Sequence, residues 1–164
     1  MKSKFKFIGI DPGLSGAIAI LTSDNPIILA TPVIDKEIDV ARIIQFLYEN
    51  EVNERNSIAH IEKVGAFPKQ GVVSMFRFGF VTGIMHGVFR TLKIPLFIVT
   101  PQSWKKEILM DTDKSKQAAI NWCLRSYPGV NLFSTMKSKI HDNGMADALC
   151  LAEYGKRKYY STME

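Results

Sequence analysis

Residues 5–21, FKFIGIDPGLSGAIAIL, constrain the fold of this chain more than any other stretch. Two apolar, isoleucine-rich runs flank the turn-forming DPGLS, which predicts two strands joined by a short connection. The first strand delivers one carboxylate, Asp11, into the turn. A charge at the end of a buried strand is costly unless a metal ion or a phosphate-bearing ligand compensates its ionisation. Asp-Pro-Gly is also ordinary turn chemistry, so this segment alone leaves both readings open.

A chain of 164 residues with 46% hydrophobic content can bury one sizeable core and is too short for two, so residues 1–164 are expected to form a single domain. The formal net charge of +5 favours polyanionic partners such as nucleic acid. No stretch approaches the roughly 18 uninterrupted apolar residues of a membrane span. The opening MKSKFKFIGID meets an acid too early for a secretory signal. The expectation is an intracellular protein without a membrane partner: in the cytoplasm or nucleoid, or in a host-cell interior or organelle matrix. Cys123 and Cys150 occupy apolar positions of helical patterns, where a small buried thiol is the default, so neither a disulfide nor a zinc site is expected.

Strands are predicted at 4–11, 16–22 and 26–33, linked closely enough to form an antiparallel meander. Asp39 then caps a helix with Val40, Ile43, Ile44 and Leu47 on one face, and SIAHIEK at 57–63 reads as a strand. The longest helix is predicted at 71–91. There Gly79, Gly83 and Gly87 form a row, each costing roughly 1 kcal/mol relative to alanine, which calls for close approach of a sheet or a partner helix. A strand at 95–101, helices at 101–109 and 113–126, a loop at 128–139 and a helix at 143–156 complete the pattern. The class is α/β with a mixed sheet.

Two further places set acids among apolar residues. Glu62 ends the strand SIAHIEK, and the last helix begins HDNGMADALCLAEYG, with Asp142 near its start and Asp147 one turn inside. Asp142 also suits helix capping. If these elements meet, the carboxylates share one cleft and repel each other towards protonation. Two hard divalent cations would relieve that repulsion and drive in-line attack on a phosphodiester. Carboxylates without His or Cys favour magnesium or manganese over zinc.

GIDPGLSGAIAIL, IEKVGAFPKQGVVSMFRFGFVTGIMHG, TPQSWKK and HDNGMADALCLAEYG resemble, in order and spacing, the RuvC family of Holliday junction resolvases, especially its phage and organellar branch. The likeness covers roughly residues 5–156. It implies an RNase H-like (retroviral integrase-like) fold: a mixed five-stranded sheet with its first three strands antiparallel, flanked by helices. It also implies a homodimer that resolves four-way DNA junctions by paired symmetric nicks, using Mg2+, with Mn2+ as a substitute and no small-molecule cofactor. Carried over, Asp11, Glu62 and Asp147 match the family's acids as catalytic metal ligands. Members of this branch usually carry a fourth acid four positions before the last, where this chain has Asn143. Asp142, beside it, is the favoured fourth catalytic and metal ligand, and coordination by Asn143 or a weakened site are the alternatives.

Phosphate contacts are expected from Lys69, Lys105, Lys106, Lys114 and Lys116, with Lys137 and Lys139 as further candidates. Phe67, in the loop GAFPKQG, is placed to stack on a base or wedge the junction open. Among the histidines, only His141 is a candidate catalytic helper. The alternatives are another RNase H-like nuclease acting on RNA–DNA hybrid or branched DNA, or a junction-binding protein with weak or no activity.

Overall fold

Strict alternation along the N-terminal strands builds the centre of the molecule. The computed structural model describes residues 5–22, 25–65, 71–110, 112, 115 and 117–163. Strands β1 (Lys6–Asp11), β2 (Ala17–Leu21) and β3 (Pro26–Ala30) form the antiparallel meander. A hairpin not anticipated from the sequence follows, β4 (Val33–Ile34) with β5 (Glu37–Ile38). Its central Asp35 and Lys36 have φ of 50° and 67°. Such a turn usually announces itself with glycine or asparagine, and here it carries neither.

Helix α1 (Val40–Glu49) starts at Asp39, whose side chain accepts the Arg42 N–H at 3.0 Å. Strand β6 (Ser57–Glu62) then pairs parallel to β1, and after α2 (Val72–Thr91) strand β7 (Leu96–Val99) pairs parallel to β6. The main sheet has the order β3-β2-β1-β6-β7, the mixed five-stranded sheet expected from the sequence. Helices α3 (Pro101–Ile108), α4 (Ala118–Ser126) and α5 (Asn143–Ser161) complete the fold. Helix α5 runs five residues past the expected end, because Tyr159 and Tyr160 pack on Phe5 and Phe7 of the first strand region.

The sheet separates two cores. Ile8, Ile10, Ile18 and Ile20 face α1 and α2, burying Ile43, Leu47, Met85 and Phe89. Phe7, Ala17, Ala19 and Leu21 face the other way, against Leu149 and Ala152 of α5, Trp104 of α3 and Trp122 of α4. Each such aliphatic side chain stabilises the fold by about 1.5–3 kcal/mol. Gly9 sets how closely α5 crosses the sheet: a Cβ there would lie 1.9 Å from the Ala148 carbonyl oxygen and 2.4 Å from the Ala152 nitrogen. The last helix therefore lies directly on β1.

On helix α2 one of the two expected partners of the glycine row, the sheet, drops out. Gly79, Gly83 and Gly87 do not receive the sheet: a Cβ on any of them would meet nothing within 4 Å among the described residues. The sheet takes the face bearing Val81, Met85, Val88 and Phe89 instead. Val72 (83%), Phe76 (76%) and Phe80 (55%) remain exposed on the outer side. With apolar side chains on its outer as well as its inner face, α2 has the length and mean hydropathy (1.4) of a membrane-crossing helix, although only 28% of that window is buried inside the molecule.

Candidate active site

The register Ile10↔Ile61 between β1 and β6 sets the next residues, Asp11 and Glu62, side by side at the same end of two parallel strands. Helix α5 begins at that end. Its approach depends on Gly144, where a Cβ would lie 2.3 Å from the Ser15 carbonyl oxygen and 3.1 Å from Asp11 Oδ2. Any side chain at 144 would push the helix off the DPGLS turn. Asp142 is the N-cap, with Oδ1 accepting the Met145 N–H at 3.0 Å. Asp147 follows one turn later.

The acids feel one another strongly. Burial, and then the charges of Asp147, Glu62 and Asp142, push Asp11 up to about 8, against a smaller opposing pull from Lys105. Burial raises Asp147 to about 6, with Lys105 pulling it down and Glu62 adding to the rise. Around Asp11 the neighbouring negative charges therefore add to burial, whereas at Asp147 burial, the largest influence, wins over the pull of Lys105.

Glu62 is oriented by a residue whose role the sequence did not reveal. Trp104 is fully buried, and its indole Nε1 donates to Glu62 Oε2 at 2.6 Å. The Lys105 ammonium lies over the same indole ring, 5.2 Å from its centroid. Thr100 caps α3 by accepting the Ser103 N–H and so fixes the helix that carries both residues. The only sequence signal was the run TPQSWKK, in which nothing marks an indole as a partner of a carboxylate.

Beside Asp147 opens a cavity of about 750 Å³, lined by Lys105, Lys106, Leu109, Met110, Ala118, Ala119 and Asn143 among others. Asn143 and Asp147 stand four residues apart on α5 and therefore share a helix face. Phe67, Lys69, Lys114 and Lys116 lie outside the described residues. Lys137 and Lys139 are exposed in the loop before α5. His141 packs against the Phe133 ring at 4.6 Å. His60 is buried between Phe97 and Tyr154, and burial lowers it to about 4.

A divalent cation suits this donor set. The donors are carboxylate oxygens, which favour Mg2+ or Mn2+, and Asp11 is raised by burial and then by the charges of three neighbouring acids. As the side chains stand, no three His, Cys, Asp or Glu residues among those described are gathered closely enough to hold an ion. Glu62 gives only Oε2 to Trp104 and Asp142 only Oδ1 to its cap, so each keeps its second oxygen for an ion around which the acids would draw together.

No family model matches the chain, and no curated protein matches it. Solved structures match over nearly its whole length. T. thermophilus RuvC in complex with a Holliday junction substrate shares 15% identity over 97% of this chain and 96% of that one, with a TM-score of 0.66. The yeast mitochondrial Holliday junction resolvase Ydc2 shares 13% identity over 98% of this chain and 83% of that one, with a TM-score of 0.60. A second Thermus thermophilus RuvC structure shares 16% identity over 95% of each chain, with a TM-score of 0.59. At these identities the likeness establishes the fold, which is the RuvC-like RNase H fold.

Proposed function

We propose that this protein is a structure-selective endonuclease that resolves four-way DNA junctions by paired symmetric nicks. One observation carries the proposal: the ends of β1 and β6 and the first turn of α5 bring Asp11, Glu62, Asp142 and Asp147 into mutual electrostatic range, with Asp11 pushed up to about 8. Acids raised by burial together with specific charged neighbours cluster at functional sites. The fold shared with RuvC and Ydc2, both described as acting at or bound to Holliday junctions, supports the same substrate.

Asp11, Glu62 and Asp147 would hold Mg2+, with Asp142 at the rim. When bound, the ions would supply activation of a water nucleophile and stabilisation of the leaving oxygen. The chain's own residues have distinct tasks. Trp104 holds one oxygen of Glu62 so that the carboxylate keeps its direction. Lys105, close enough to lower both Asp11 and Asp147, is placed to draw a phosphate into the cluster and to limit its negative potential. Lys106 extends that cationic rim. Asp142 spends one oxygen on the helix cap and adds its charge to Asp11.

Two opposed nicks require two such sites related by a twofold axis. The outer face of α2 suits a second copy. Bulky Phe76 and Phe80 occupy its first half, and open Gly83 and Gly87 its second. Antiparallel pairing of two α2 helices would seat each copy's phenylalanines over its partner's glycines. A dimer of this kind accounts for the glycine row that the sheet does not use.

The test is a cleavage assay with Mg2+ on a synthetic mobile four-way junction, run beside linear duplex and RNA–DNA hybrid. Symmetric nicks confined to the junction are expected. Cleavage of the hybrid in preference to the junction would replace the proposal with another RNase H-like nuclease, and binding without cleavage would leave a junction-binding protein.

A further inference from the structure

The cavity beside Asp147 has a mixed lining. Lys105, Lys106, Thr112, Ser115, Asn143 and Asp147 bring polar or charged groups to it, and Leu109, Met110, Ala118 and Ala119 bring apolar ones. A phosphate or a cation would use only the polar groups. A duplex is too large to enter about 750 Å³. A flat ring with apolar faces and a hydrogen-bonding edge uses both kinds, and a nucleobase taken out of its stack is such a ring.

Asn143 supplies a second, independent feature. It is the first residue of α5, it is exposed, and among the described residues its carboxamide has no hydrogen-bond partner. A carboxamide offers a donor and an acceptor together, which is what the edge of a base presents. An aspartate at 143 would offer acceptors alone and add another charge to an already overcharged cluster. The neutral residue therefore fits a reader of bases better than a holder of ions.

We infer that this cavity receives one nucleobase unstacked from the junction, belonging to a nucleotide next to the phosphodiester under attack. Asn143 pairs with its edge, and Leu109, Met110 and the Ala118–Ala119 pair cover its faces. The inference rests on the nuclease reading, because it is the position of Asp147 that places the scissile phosphate at the mouth of the cavity. It makes the cavity a determinant of cleavage sequence, a property separate from the metal site.

Binding without divalent ions tests it apart from cleavage. The probes are the intact junction and a set of junctions each carrying one abasic nucleotide at a position flanking the crossover. For the wild type, loss of the base at one position should weaken binding on the order of tenfold, the scale of one bidentate base contact. Asn143→Leu should bind the intact junction weaker by a similar factor and lose most of the dependence on that base, as a double-mutant cycle requires of a direct contact. Met110→Ala, at a side chain already 74% exposed and hence harmless to folding, should reduce the same dependence. Equal abasic effects in wild type and both variants, or no effect at any position, would overturn the inference while leaving the nuclease reading intact. Failure of the wild type to bind the intact junction would overturn the nuclease reading, and this inference with it.

Discussion

The indole N–H of Trp104 donates to Glu62 Oε2 at 2.6 Å, so a fully buried core residue of α3 steers a carboxylate at the end of β6. The two residues are 42 positions apart and belong to different layers. The bond joins packing to chemistry, because the ring fills the core beneath the site while its one polar atom reaches out of that core. A buried indole N–H needs an acceptor, and here the acceptor is a charged group of the cluster.

Trp104→Phe keeps most of the ring and removes the donor. A hydrogen bond to a charged group is worth about 1.5–3 kcal/mol, so single-turnover junction cleavage should fall at least tenfold while the far-UV spectrum stays native. An unchanged rate would show that Glu62 is held by something else.

Asp11→Asn, Glu62→Gln and Asp147→Asn should each abolish junction cleavage and leave junction affinity nearly unchanged, since each removes one carboxylate from the cluster and none of the lysines. Gel-shift and cleavage assays on the same preparations decide the point. Near-wild-type nicking by any of the three would remove that residue from the assignment.

Stability without divalent ions should decline with rising pH. Asp11 is held at about 8 and Asp147 at about 6, both above their unfolded value of 3.8. The folded state therefore binds more protons than the unfolded one across that interval. Their contribution is complete below about pH 4, and it is lost as pH rises through about 6 for Asp147 and about 8 for Asp11. In EDTA, Tm should be higher near pH 5 than near pH 8, and Asp11→Asn should raise Tm at the higher pH by about 2–4 °C for each kcal/mol recovered. Mg2+ should raise the wild-type Tm at pH 8 more than that of the variant. A Tm that is level with pH in EDTA would contradict the crowding of these acids.

Asp142 combines a cap with a charge, and two substitutions separate them. Asparagine caps as well as aspartate, whereas alanine costs about 1 kcal/mol. Asp142→Asn should melt like the wild type and Asp142→Ala several degrees lower, while both lose cleavage to a similar extent. Should Asp142→Asn cleave normally, Asp142 is a cap alone and the site has three acidic ligands.

Gly83→Leu tests the proposed α2 pairing. The added side chain meets nothing within 4 Å among the described residues of its own chain, and leucine exceeds glycine in helix propensity by roughly 0.8 kcal/mol. A monomer should therefore gain stability, while a dimer closed on the glycine row should dissociate. Sedimentation at micromolar concentration reads the difference, and an unaltered dimer would place the interface elsewhere.

The opening strands, the order of strands and helices, and three acids were legible in the chain because their signals are local. Alternation along residues 6–11 and 17–21 reports a sheet, and an acid beside Pro-Gly or inside MADALCLA stands out against apolar neighbours. The β4–β5 hairpin was not legible, because Asp35 and Lys36 adopt positive φ without the glycine that usually signals it. Nor did the sequence separate the uses of Asp142 and Asn143. Adjacent residues at a helix start differ in direction only once the helix is placed, and then one turns back to cap Met145 while the other faces the cavity. The tertiary structure also decided the fate of the glycines. Gly9 and Gly144 mark where α5 presses on β1 and on the DPGLS turn, whereas a Cβ on the more conspicuous row on α2 meets nothing within 4 Å among the described residues. A missing side chain carries no local mark of what will occupy its space; that depends on which element crosses it, and the crossing is set by both cores together.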